Sequence, residues 1–163
     1  MSNESTIQIP IDSDDWRLVT DNVMGGVSSG SMQHLQVKDS QCIALQGNVS
    51  TENNGGFIQV AIDIDESLRK QLNQNGGVVL TLKGNGEQYN LHLRTSSLWF
   101  PWQSYRYSFE TDGSWQTIKM PFKEFTAYKT STEFNPAKIS RLGVVAIGRD
   151  FQADLCFNSV SFY

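Results

Sequence analysis

Ile58, Val60, Ile62 and Ile64 alternate with Gln59, Ala61, Asp63 and Asp65, and this period of two recurs along most of the chain. Val78, Leu80 and Leu82 alternate with Val79, Thr81 and Lys83. Tyr89, Leu91 and Leu93 oppose Asn90, His92 and Arg94, and Tyr105, Tyr107 and Phe109 oppose Arg106, Ser108 and Glu110. Successive side chains of an extended strand point to opposite faces, so each segment can bury one side and wet the other. Further strands are predicted over residues 7–11, 35–37, 43–45, 116–122, 142–147 and 155–162. Asn75-Gly76-Gly77, Gly84-Asn85-Gly86 and Asp112-Gly113 punctuate them as turns. Helical patterning is confined to residues 65–74, with acids at the start and Asn75-Gly76 as the stop, and to a shorter turn over residues 123–128. The fold class that follows is all-β, an antiparallel two-sheet jelly-roll sandwich with at most one or two short helices. A chain of 163 residues is expected to form one such domain spanning 1–163.

Two stretches exceed what ordinary turns require. Asp21-Asn22-Val23-Met24-Gly25-Gly26-Val27-Ser28-Ser29-Gly30 and Gly47-Asn48-Val49-Ser50-Thr51-Glu52-Asn53-Asn54-Gly55-Gly56-Phe57 each carry a glycine pair and lead into a strand. Glycine admits positive φ and close backbone approach, so the two loops are expected to dock on each other. Asp21, Asn53 and Asn54 are read as short polar side chains that satisfy loop amides. Met24 is read as filling a gap between the loops.

The net charge of -4 and the scattered lysines and arginines give no basic stripe, which argues against nucleic acid as a partner. No apolar run approaches the length of a membrane span. The polar, acidic start Met1-Ser2-Asn3-Glu4-Ser5 reads as neither signal peptide nor presequence, so a cytoplasmic protein of bacterial type is expected. In that setting Cys42 and Cys156, far apart and without a CxxC spacing, are expected as free, half-buried thiols.

Catalytic constellations are weak. Gly26-Val27-Ser28-Ser29-Gly30 matches the GxSxG nucleophile elbow, but that chemistry needs a helix after the serine, and residues 31–37 read as strand. Gly84-Asn85-Gly86 starts like a dinucleotide loop, yet a strand follows and a hairpin turn is the favoured reading. Two histidines and two remote cysteines offer no transition-metal spacing, and Asp12, Asp14, Asp15 and Asp21 read as a solvated acidic loop before a calcium site. No catalytic residue, metal or cofactor is therefore assigned.

Binding candidates lie elsewhere. Leu98-Trp99-Phe100-Pro101-Trp102-Gln103 joins two strands whose apolar faces are already supplied by Leu91, Leu93, Tyr105 and Tyr107. Trp99, Phe100 and Trp102 are either a lid over one end of the core, the favoured reading, or an exposed anchor for a protein or a sugar ring. If the flanking strands pair, His92 and Arg94 share a face with Arg106 and Ser108, a solvated surface in the plain reading and a binding face for an acidic peptide or saccharide in the other.

The same residues carry a family resemblance. Trp16, Val19, Asp21, Val23-Met24-Gly25-Gly26 and Ser28 are followed by Gly47, Val49-Ser50 and Glu52-Asn53-Asn54-Gly55-Gly56-Phe57. Gly84-Asn85-Gly86, Tyr89, Leu91, Arg94, Tyr105, Phe109, Thr111, Trp115, Pro121-Phe122, Phe125, Leu142-Gly143 and Gly148 come next in order. From residue 16 onward the chain thus resembles the complex I intermediate-associated protein 30 family. The resemblance implies a galactose-binding-like jelly roll and a non-catalytic chaperone that holds a membrane-complex assembly intermediate. It marks Trp16, Asp21, Met24, Gly25, Gly26, Ser28, Asn53, Asn54, Gly55, Gly56 and Phe57 as family-motif positions. A carbohydrate-binding module using residues 99–102 is the alternative, and an RNA-associated domain a weaker one.

Overall fold

The computed structural model describes residues 6–37 and 40–163, with the backbone alone at Val37 and Asn54. Among the described residues twelve strands form two antiparallel sheets. The first has the order β3(Ser29–Val37), β4(Ser40–Val49), β12(Phe151–Phe162), β6(Gly77–Lys83), β9(Trp115–Pro121), with β1(Ile7–Ile9) added to β12. The second has the order β10(Thr126–Tyr128), β8(Ser104–Glu110), β7(Gln88–Thr95), β11(Ile139–Ile147), β5(Phe57–Asp63), β2(Arg17–Thr20). A short helix α1(Glu66–Gln71) starts at Asp65, whose carboxylate accepts from the Leu68 amide at 2.9 Å, and ends in a 3-10 turn before Asn75.

The alternation decides what is inside. Ile43, Leu45, Leu80, Leu82, Leu155 and Phe157 from the first sheet meet Ile58, Val60, Leu91, Leu93, Leu142 and Val144 from the second, all fully buried or nearly so. Trp16 closes the core, edge-on to Phe157 with its indole N–H donating to Pro10 O at 2.8 Å.

Chain direction fixes two ends. Phe57 lies opposite Ile147, and Thr95 lies opposite Ile139 at the other end of β11. The glycine-rich connections β2–β3 and β4–β5 therefore sit at one end of the sandwich, and the β7–β8 connection at the opposite end.

Several expectations change. Gly84-Asn85-Gly86 is no hairpin: β6 and β7 belong to different sheets, and the turn is a corner between them. A Cβ at Gly84 would lie 2.5 Å from Thr111, and Gly86 has φ +89°, so the glycines serve this tight crossing. Asn85 there accepts from the Tyr89 hydroxyl at 2.5 Å and donates to Gln152 O at 3.0 Å. Cys42 and Cys156 are not free thiols. Strand β4 lies beside β12, with Cys156 opposite Ala44, so Cys42 is one diagonal step away and the two form a disulfide with Cα atoms 5.8 Å apart. Such bonds persist in oxidising surroundings, which removes the cysteines as an argument for a reducing compartment.

Candidate functional site

At the glycine-rich end everything converges on Asp21, whose side chain is fully buried. Its carboxylate accepts from the Ser28 hydroxyl at 2.6 Å and from the amides of Ser28 at 3.0 Å, Gly56 at 2.5 Å and Phe57 at 3.3 Å. Burial alone would raise its pKa, but these donors outweigh it and hold the group below the ordinary aspartate value. The glycines make room for the carboxylate. A Cβ on Gly26 or on Gly55 would lie 2.4 Å from it, and one on Gly55 would also lie 2.9 Å from Gly26 Cα. Gly25 with φ +88° and Asn53 with φ +58° take the left-handed turns that aim both loops inward.

The docking of the two loops is as expected, with a different division of labour. Asp21 satisfies loop amides; Asn53 contributes its backbone conformation while its side chain is exposed, and the side chain of Asn54 lies outside the described residues. Met24 fills no gap: it is 56% exposed beside Val23 and Val27. Ser28 is a bridge, donating to Asp21 and accepting from the Ser50 amide at 2.8 Å. Strand β3 begins at the next residue, so the strand–turn–helix setting of a nucleophile elbow is absent at Ser28.

At the opposite end, residues 96–103 connect β7 to β8 and do not form a lid. Trp99 is 89%, Phe100 50% and Trp102 55% exposed. The core end beneath them is closed by other residues: Tyr105 packs edge-on to Phe134 and donates to Thr132 O at 2.7 Å. The loop is nonetheless held. Arg94 donates to Gln103 O at 3.0 Å and to Phe100 O at 2.8 Å. Gln103 Oε1 accepts from the amides of Trp99 and Phe100, while its Nε2 donates to Lys129 O. Phe100 and Trp102 stack with ring centroids 4.7 Å apart. Arg94, a binding candidate from sequence, is thus a brace for the loop.

The polar face runs from this loop across the outside of the second sheet. His92 pairs with Arg106 and Asn90 with Ser108, as strand pairing requires. Asn90 Oδ1 accepts from the Ser108 hydroxyl at 3.0 Å, and the Asn90 amide lies 3.3 Å from His92 Nε2. Burial, and to a smaller extent the Arg106 charge, push the His92 pKa down to about 3, so the imidazole is neutral and Nε2 accepts. Arg106 donates from Nε to Ser104 Oγ at 2.8 Å, and its guanidinium lies 3.6 Å from the centre of the Tyr128 ring. Asp63 farther along the sheet takes both Arg17 at 3.1 Å and Arg141 at 3.2 Å. The sequence brought out Arg106 but not Tyr128, which β10 delivers from 22 positions away by pairing with Ser104. Among the described residues no group of three or more His, Cys, Asp or Glu gathers, and no helix is long and apolar enough to cross a membrane.

Residues 5–156 match the sequence profile of the complex I intermediate-associated protein 30 family. The chain belongs to that family. The glycine motifs that suggested it form the Asp21 clasp, an arrangement of backbone and buried carboxylate. No curated protein matches the sequence significantly. Among solved structures the fold is shared with a family 11 carbohydrate-binding module from Clostridium thermocellum in complex with a β-1,3-1,4-mixed-linked tetrasaccharide. The TM-score is 0.79 at 12% identity, over 96% of this chain and 94% of that one. A family 30 carbohydrate-binding module of a cellulosomal cellulase from the same organism matches with a TM-score of 0.68 at 14% identity, over 97% and 96%. These likenesses establish the jelly-roll sandwich.

Proposed function

We propose that this chain is a non-catalytic binding module that holds a protein partner, in the manner of an assembly factor, through the aromatic loop and the adjoining polar face. The observation that carries this reading is the posture of Trp99, Phe100 and Trp102: largely exposed, yet fixed by Arg94, Gln103 and their own stacking. Exposed tryptophans on a pre-ordered loop lose little conformational freedom on binding and are the side chains that most often dominate protein interfaces. Family membership supports a partner of one class, an intermediate of a membrane NADH:ubiquinone oxidoreductase. Affinity capture with wild-type chain, Trp99→Ala and Trp102→Ala tests it. Wild type is expected to retain subunits of such a complex, with recovery reduced at least about tenfold in each variant, the loss typical of an aromatic hot spot. Equal recovery with all three contradicts the assignment of the surface.

A second reading rests on the solvent-exposed ring of Trp99, which suits stacking on a sugar, together with the fold shared with a carbohydrate-binding module in complex with a β-1,3-1,4-mixed-linked tetrasaccharide. A glycan array that includes mixed-linked glucan oligosaccharides separates the two. Binding that disappears in Trp99→Ala favours saccharide; an empty array leaves the protein-binding reading.

A further inference from the structure

We infer that the face beside the aromatic loop takes an acidic, extended peptide segment, laid along the free edge of β10 with a carboxylate on Arg106. The inference rests on the protein-binding reading and specifies the chemistry of the bound segment.

Arg106 is half-buried and rigidly posed, clamped at Nε by Ser104 Oγ and across its plane by Tyr128. Among the described residues the ion pairs are Arg17–Asp63, Arg141–Asp63 and Arg149–Glu87, so no carboxylate neutralises Arg106, and neither of its Nη groups has a protein acceptor. A partly desolvated guanidinium without a counter-charge gains more from an anion than one in open water, and its planar fork matches a carboxylate in two parallel bonds. Because the fork is fixed beforehand, little side-chain entropy is lost when the anion arrives.

The guanidinium lines a hollow of about 530 Å³ together with Asn90, Ser108, Glu124, Thr126 and Tyr128. Lys129 adds a second cation 5.7 Å from the Tyr128 ring. His92 adds none, since it is neutral. Glu124 is the acid in this lining; it makes no ion pair with Arg106 and is suited to accept from an amide N–H. Asn90 and Ser108 supply neutral donors and acceptors.

A peptide fits better than an acidic saccharide because of the strand that bounds the hollow. β10 is the edge of its sheet and pairs on one side with β8, which leaves its other side open to an added strand. The path then continues to the aromatic loop, since Tyr128 lies opposite Ser104 and Lys129 O is held by Gln103. One extended segment thus meets backbone edge, guanidinium and aromatic anchor in turn.

The test is a titration of the ¹⁵N-labelled 163-residue chain with blocked tetraglutamate, matched blocked tetraglutamine, and tetragalacturonate, read by NMR at backbone amides and arginine Nε. Tetraglutamate is expected to give saturable shifts at Arg106 Nε, Ser108 and residues 126–128, weakened by added salt. Tetraglutamine is expected to give none, Arg106→Gln to weaken the affinity at least about tenfold, and Arg106→Lys to fall between. Because Arg106→Lys keeps the charge and the stem, it guards against a loss caused by misfolding. Absence of saturable shifts, equal shifts with tetraglutamine, or tighter binding of tetragalacturonate overturns the inference. Should Trp102→Ala abolish partner capture while tetraglutamate fails to compete for that partner, the acidic-peptide inference falls and the protein-binding reading stands. Should tetraglutamate bind at Arg106 while capture ignores both tryptophans, the peptide chemistry holds and the aromatic surface assignment falls.

Discussion

The two ends of the sandwich spend polar and aromatic residues in opposite ways. At the glycine-rich end the buried Asp21 and Ser28 side chains are hydrogen-bonded to each other and to the amides of Ser28, Ser50, Gly56 and Phe57. At the other end Arg94 and Gln103 bond to backbone groups of the loop and to Lys129 O, and the rings they support are left facing solvent. The end richest in motif residues ties the loops of the two sheets together, and the end with a plainer sequence carries the exposed rings proposed here as the contact surface.

The comparison breaks most readily at Asp21. Asp21→Asn turns an acceptor of four hydrogen bonds into an amide that faces those donors, and is expected to cost about 3 kcal/mol or more, measured by denaturant unfolding. Gly26→Ala and Gly55→Ala are expected to rank with it, because each Cβ would strike the carboxylate. Because the Asp21 pKa is lowered in the fold, its contribution is present above the unfolded aspartate pKa and is lost as pH falls through the folded value. Replacing Cys42 and Cys156 together by serine is expected to cost about 2–4 kcal/mol, with the same loss on reduction of the wild type and none on reduction of the variant.

An effect seen only on acidification belongs to the polar face. The His92 pKa of about 3 lies below the ordinary value, so the unfolded chain binds a proton first. Stability from this group is complete above roughly pH 6.5 and declines as pH falls toward the folded value, by at most about 1.4 kcal/mol per pH unit. His92→Gln is expected to flatten stability between pH 6.5 and pH 4.5 relative to wild type. The smallest expected change is Trp99→Ala, within about 0.5 kcal/mol of wild type because the side chain touches little, while partner recovery falls. A Trp99→Ala variant as damaged as Asp21→Asn would erase the distinction between the two ends.

Much of the second sheet was legible in the sequence because it alternates cleanly: the stretches around Ile58, Leu91 and Phe109 are the central strands β5, β7 and β8. The pairing of β7 with β8 was only a condition in the sequence reading; the structure meets it and sets His92 opposite Arg106 on one face. Strand β2 did not stand out, since Arg17–Thr20 is half-buried throughout at a sheet edge. Residues 123–128, expected as a helical turn, are instead the end of a 3-10 turn over Phe122–Glu124 followed by β10; Thr126, Ala127 and Tyr128 are all exposed, so no strand periodicity marks them. The disulfide and the crossing at Gly84–Gly86 depend on which strands become neighbours, a property of topology that local pattern does not contain. The lid reading of the tryptophans failed because Tyr105 and Phe134 already cover that part of the core.

Hydrogen exchange of the 163-residue chain, free and bound to its captured partner, tests the division between the ends most directly. Added protection is expected over residues 96–103 and 126–129 and at Ser108, with residues 21–30 and 50–57 unchanged. Protection gained at the Asp21 loops, with none at residues 96–103, contradicts the account.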